Sequence, residues 1–73
     1  MIAFTRSEDG WRKIAVEVEV RADHPEQVRR NYEKNVKRGL EVIFVVPDEK
    51  VAERVRRILG NKNSCRIEVI DPD

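Results

Sequence analysis

The sequence predicts an α/β domain of order ββαβαβ, a mixed four-stranded sheet carrying two helices. Three observations predict it. Residues Ile14 to Arg21 alternate with a period of two and place Ile14, Val16, Val18 and Val20 on one face, which is a β-strand pattern. Two later segments, each opened by an Asp and each closed by a Gly, repeat their apolar residues with a helical period. Between those helices runs Leu40 to Val46, almost continuously apolar. Such a run reads as an interior strand covered on both faces, parallel to the strand before it across a helical crossover.

The elements follow in order. Met1 to Thr5 is apolar and β-prone. Asp9-Gly10 is a hairpin signal, and it predicts that Trp11 to Arg21 returns antiparallel to the first strand. Four β-branched residues make the Ile14, Val16, Val18 and Val20 side the expected buried face, which leaves Ala15, Glu17, Glu19 and Arg21 opposite it. Asp23 is placed to cap the first helix, with Pro25 in the first turn and Glu26 completing a D-x-x-E box. This helix runs to about Arg38 and stops at Gly39, on an apolar stripe of Val28, Tyr32 and Val36. Pro47 closes the third strand. Asp48 caps a second helix whose Val51, Ala52, Val55, Ile58 and Leu59 form a core-facing stripe, and Gly60 ends it. Asn61 to Ser64 reads as a polar loop, Cys65 to Ile70 as a final edge strand, and Asp71-Pro72-Asp73 as a tail.

Composition sets the bounds. A chain of 73 residues makes one small domain, with little apolar surface to offset the entropy of folding. One cysteine cannot form an internal disulfide, and one histidine with one cysteine offers no zinc set. These point to a reducing, cytoplasmic setting. No apolar run reaches the roughly 20 residues of a membrane span. Charged residues make up 40% of the chain and nearly cancel, at net +1. Dense and balanced charge of this kind suits ion-pair networks of a thermophilic source, and by itself does not point to nucleic acid.

The candidate chemistry lies on the second strand. Glu17 and Glu19 point the same way about 7 Å apart, and like charges that close raise one another's pKa unless a cation stands between them. Lys13, Arg21 or a divalent metal are the candidates for that cation. The alternative is a solvated strand face with cross-strand ion pairs. The first helix is the one clearly basic element: Arg29, Arg30, Lys34, Lys37 and Arg38 stand against Glu26 and Glu33. That strip suits phosphate contact, which requires charge and no base reading; an ordinary solvated helix face is the alternative. Trp11 and Tyr32 are either stacking groups or core. His24 reads as exposed, and Cys65 as a structural thiol.

The run Ile14-Ala15-Val16-Glu17-Val18-Glu19, on a hairpin strand followed by a helix and a buried strand, resembles the PD-(D/E)xK nucleases and their restriction-endonuclease-like core. The resemblance covers about residues 1–47. It implies that Glu17 takes the place of the second metal-binding acid and that Glu19 stands at the lysine position; in the alternative register Glu19 is the acid and Arg21 replaces the lysine. Gln27 and Tyr32 look like the glutamine–tyrosine helix motif of RecB-type members, with one extra residue between them. The implied chemistry is phosphodiester hydrolysis with Mg²⁺ on Glu17. Two departures stand out. Met1 to Thr5 holds no acid, so the first acid of the pattern either precedes Met1 in a larger DNA-processing parent or is absent, and the lysine is missing. With one acid and no lysine, Mg²⁺ should bind poorly. The expectation is a nuclease-like DNA-binding domain, weakly active or inactive alone; a protein-interaction domain with no nucleic-acid role is the alternative.

Overall fold

The computed structural model describes residues 1–60 and 65–70. The elements are β1 (Ile2–Ser7), β2 (Gly10–Val18), α1 (Pro25–Lys37), β3 (Glu41–Val46), α2 (Glu49–Leu59) and β4 (Cys65–Val69). The order is the expected ββαβαβ. The four strands form one mixed sheet in the order β1-β2-β3-β4, with β1 antiparallel to β2 and the other pairs parallel. The predicted 61–64 loop and 71–73 tail lie outside the described residues.

Local signals explain most boundaries. The hairpin turn falls on Glu8 and Asp9, and Gly10, with φ at 115°, opens β2 opposite Ser7. That positive φ is the reason a glycine stands there. Asp48 caps α2, its carboxylate accepting from the Val51 amide at 3.0 Å. Asp23 does not cap α1. The N-cap is His24, whose side chain makes no capping bond and whose carbonyl accepts from the amides of Gln27 and Val28. Pro25 at the first helical position sets where α1 begins, one residue later than a cap at Asp23 requires.

The larger correction concerns the faces of β2. The helix-covered side is Ala15, Glu17 and Glu19, and the side of Val16, Val18 and Val20 is open. Register fixes this: Ala15 pairs with Val42 and Glu17 with Phe44, while Val16 and Val18 pair with Ile43 and Val45. Val42, Phe44 and Val46 are fully buried, and they share one core with Ala15, Val28, Tyr32, Val51, Ala52, Val55 and Leu59. Both crossovers step in the same direction across the sheet, and right-handed crossovers then place both helices on the same face. α1 packs on α2 and β3, and α2 on β3 and β4. β3 is therefore covered on one face only, with Ile43 and Val45 half-buried on the other. Val18 and Val20 are 63% and 64% exposed. Ile14 is the buried residue on the open face, beside the 2.6 Å Arg12–Glu41 ion pair.

The stripe of α1 also differs by one residue. Val28, Tyr32 and Asn35 are buried and Val36 only partly. At 100° per residue, positions 28, 32 and 35 lie within a narrow arc, whereas 36 has turned out of it.

Two measurements check this architecture. Val42→Thr should cost about 1–3 kcal/mol by burying a hydroxyl, while the same change at Val18 should stay within about 0.5 kcal/mol, read by urea unfolding. Asp48→Ala should cost about 1 kcal/mol through its lost cap, and Asp23→Ala much less.

Candidate functional site

Glu17 and Glu19 lie on the covered side of β2, Glu17 in the ladder opposite Phe44 and Glu19 just past the strand, its amide donating to the Val45 carbonyl at 2.9 Å. Both are half-buried. The partner of Glu17 is an amide and not a cation. Asn35 Nδ2 donates to Glu17 Oε1 at 3.0 Å and to the Asn31 carbonyl at 2.8 Å, which occupies both of its amide hydrogens. Asn35 is 5% exposed, so this bond ties Glu17 to the helix above it within the sheet–helix interface. Sequence reasoning missed Asn35. The available signal was a polar residue seven positions after Val28 and three after Tyr32, on the face that meets the sheet.

Glu19 has a different setting. Burial comes first in holding its carboxyl above the ordinary value of 4.5, followed by the nearby charges of Glu17 and Asp23, with His24 opposing them. Among the described residues neither Glu17 nor Glu19 forms an ion pair, so Lys13 and Arg21 do not fill the role of intervening cation. Arg21 lies beyond the end of β2 with its side chain exposed, and its carbonyl accepts from Arg54 Nη1 at 3.0 Å, tying this turn to α2. Ala22, next along, is buried with φ at 54°, a left-handed conformation that a non-glycine residue adopts at a cost of about 1–2 kcal/mol.

The donor set for a divalent cation is thin. Among the described residues there is no group of three or more His, Cys, Asp or Glu side chains placed to hold a metal. One Glu17 oxygen already faces the N–H of Asn35, a donor that competes with a cation for the same lone pairs. Mg²⁺ takes one or two carboxylates and completes its octahedron with water, so at most Glu17 and Glu19 would serve it here, with one Glu17 oxygen already engaged by Asn35.

The structure does not bring the two helix-motif residues together. Tyr32 is buried in the core on the sheet side of α1. Gln27 is exposed in the first turn, in a shallow hollow with His24, Pro25, Glu26, Arg29 and Arg30. The five cations Arg29, Arg30, Lys34, Lys37 and Arg38 are all exposed, and among the described residues none takes part in an ion pair. Arg29 faces α2, lining a groove with Tyr32, Glu33, Ile58 and Leu59. Arg30 and Lys37 stand on the outermost arc, and Lys34 and Arg38 on the side away from α2.

Trp11 is not core. It is 72% exposed, on the same side of the β1–β2 hairpin as Phe4, which is 61% exposed. Cys65 is half-buried, and burial pushes its thiol up, away from the reactive thiolate. His24 is exposed beside Asp23 at 3.7 Å. No described helix is long and apolar enough to cross a membrane.

Compared with known protein families, curated proteins and solved structures, the chain matches none.

The Glu19 environment predicts a pH effect of definite sign. Its raised carboxyl pKa contributes stability below the ordinary carboxylate range, and that contribution is lost as pH rises through the raised value. Glu19→Gln should therefore melt at a higher temperature than the parent at pH 7, with the gap closing below about pH 4. A gap that is independent of pH would contradict this assignment.

Proposed function

We propose that the chain is a nuclease-like nucleic-acid-binding domain that holds DNA through the outer face of α1 and does not cut it on its own. The observation that carries this reading is the set of five exposed cations on α1 and its C-cap, none of them ion-paired among the described residues. The charge distribution supports it. α1 and α2 with their caps, residues 25–38 and 48–59, hold nine Lys and Arg against five Asp and Glu, although the whole chain is only +1. A chain that is neutral overall but basic on one layer is suited to bind a polyanion with that layer and leave the rest of its surface free.

The restriction-endonuclease-like resemblance remains part of this reading. The hairpin, crossover helix and central strand stand in the order that the resemblance implies, with β2 beside β3. Glu17 keeps its place on the strand, but the amide of Asn35 meets it where hydrolysis needs a metal, and the lysine position holds Glu19. Cleavage within a longer DNA-processing protein would need at least one more acid than the described residues provide.

A second reading follows from the open sheet face. Val18, Val20 and Ile70 are exposed beside Val45 and Pro47 in a shallow apolar groove, which favours a protein-interaction domain with no nucleic-acid role. The two readings separate in one titration. If α1 makes the phosphate contacts, binding of a labelled duplex should weaken with salt at a log–log slope of about −4. Replacing Arg30 or Lys37 by Gln should weaken all sequences alike and reduce that slope by about one. Binding that ignores both salt and these residues, or self-association with no response to DNA, would overturn the first reading.

A further inference from the structure

The β1–β2 hairpin extends past the rest of the sheet. β2 pairs with β3 only from Ile14 onward, so Gly10 to Lys13 and the β1 residues opposite them form a two-stranded arm without a third strand. In antiparallel pairing, residues directly opposite share a face. Phe4 lies opposite Lys13, and Arg6 lies opposite Trp11. These four side chains form a two-by-two block on the helix side of the arm, aromatic and cation alternating along both strands. All four are exposed, and among the described residues neither Arg6 nor Lys13 forms an ion pair.

We infer that this block, Phe4 and Trp11 with Arg6 and Lys13, is a binding site for single-stranded nucleic acid, whose unpaired bases stack on the two rings while the cations hold the adjoining phosphates. The inference rests on the nucleic-acid reading above and specifies the form of the ligand. Stacking requires an accessible base face, which a duplex hides. It tolerates any base, because each has a π-face, and aromatic side chains beside positive charge are the usual means of achieving it.

The placement of α1 extends the site. Glu41 follows Arg38 by three residues and pairs with Ile14, directly after Lys13. The C-terminal cations of α1, Lys34, Lys37 and Arg38, therefore end at the base of the arm, and a basic path runs from helix to hairpin. The nearby acids do not interrupt it. Glu8 and Asp9 stand at the turn, Glu41 is paired with Arg12 on the opposite face, and Glu17 is held by Asn35. Lys13 also argues against a protein occupant, because the cores of protein-binding patches are depleted of lysine, whereas here it lies directly opposite Phe4.

The intrinsic emission of Trp11 provides the test, since it is the only tryptophan in the chain. The full chain would be titrated with a short oligothymidylate, a duplex of equal length and heparin, which carries charge but no bases. Oligothymidylate should quench Trp11 and heparin should not. In anisotropy with labelled oligothymidylate, Trp11→Leu and Phe4→Leu should each weaken binding about 5- to 150-fold with an unchanged salt slope, while Trp11→Phe should retain most of it. Both side chains are exposed, so circular dichroism should confirm that the variants fold. Equal binding by Trp11→Leu, or tighter binding of the duplex, would overturn the stacking site and leave the phosphate-binding reading intact. Binding of no nucleic acid at all would remove both. Self-association that Trp11→Leu and Phe4→Leu abolish would assign the block to a second copy of the chain and overturn the proposal.

Discussion

The placement of both helices on one face of the sheet is the constraint on which the rest of the structure depends. Two crossovers that step in the same direction across a parallel β2-β3-β4 array leave no element of the described residues for the other face. The core is consequently a single layer between sheet and helices, filled by Val42, Phe44 and Val46 of β3 from below and by Val28, Tyr32, Val51 and Val55 from above. In so short a chain this uses nearly all of the apolar surface that the helices offer. The remaining β-branched residues of β2 are left on the open side, where Val18 and Val20 are exposed.

The same constraint determines what becomes of the two glutamates. Placing Glu17 under α1 would leave a half-buried carboxylate without a partner, a costly arrangement unless a donor reaches it. Asn35 is that donor, and its second hydrogen stays within its own helix on the Asn31 carbonyl. The result is a polar contact built into the sheet–helix interface. It orients Glu17 and engages one of its two carboxylate oxygens. Glu19, one pleat further on and without such a donor among the described residues, responds to burial and to its acidic neighbours by holding its proton more tightly. Two residues of the same type on one side of the sheet thus meet different surroundings, Glu17 an asparagine amide and Glu19 burial beside neighbouring acids.

Charge is separated in a similar way. The near-neutral total conceals a basic helix layer, because the compensating acids sit mainly on the strands and in the hairpin turn. Arg12 and Arg56 are held by acids at 2.6–3.1 Å, but among the described residues the α1 cations, Arg6 and Lys13 are not. Exposed ion pairs contribute little to stability, so the unpaired cations cost the fold little and remain free for an anionic partner. The arm adds two exposed rings where neither helix reaches.

Local pattern alone determined much of this protein. The period-two run of β2, the continuous apolar run of β3, Asp48 as a cap, and Gly39 and Gly60 as helix stops are all short-range signals, and element type and order follow from them. The candidate residues on α1 were legible for the same reason, since a 13-residue helix with four cations and a fifth at its C-cap must display most of them on its outer faces. Tertiary structure alone decided which side of β2 faces the core. Alternation defines two faces but carries no information about which one a distant helix will cover, and β-branched residues favour a strand on either side. Register with β3 settled that choice against the valines. It also made Asn35 part of the site and left Trp11 in solvent, because a side chain's neighbours across a sheet are set by pairing between segments far apart in sequence.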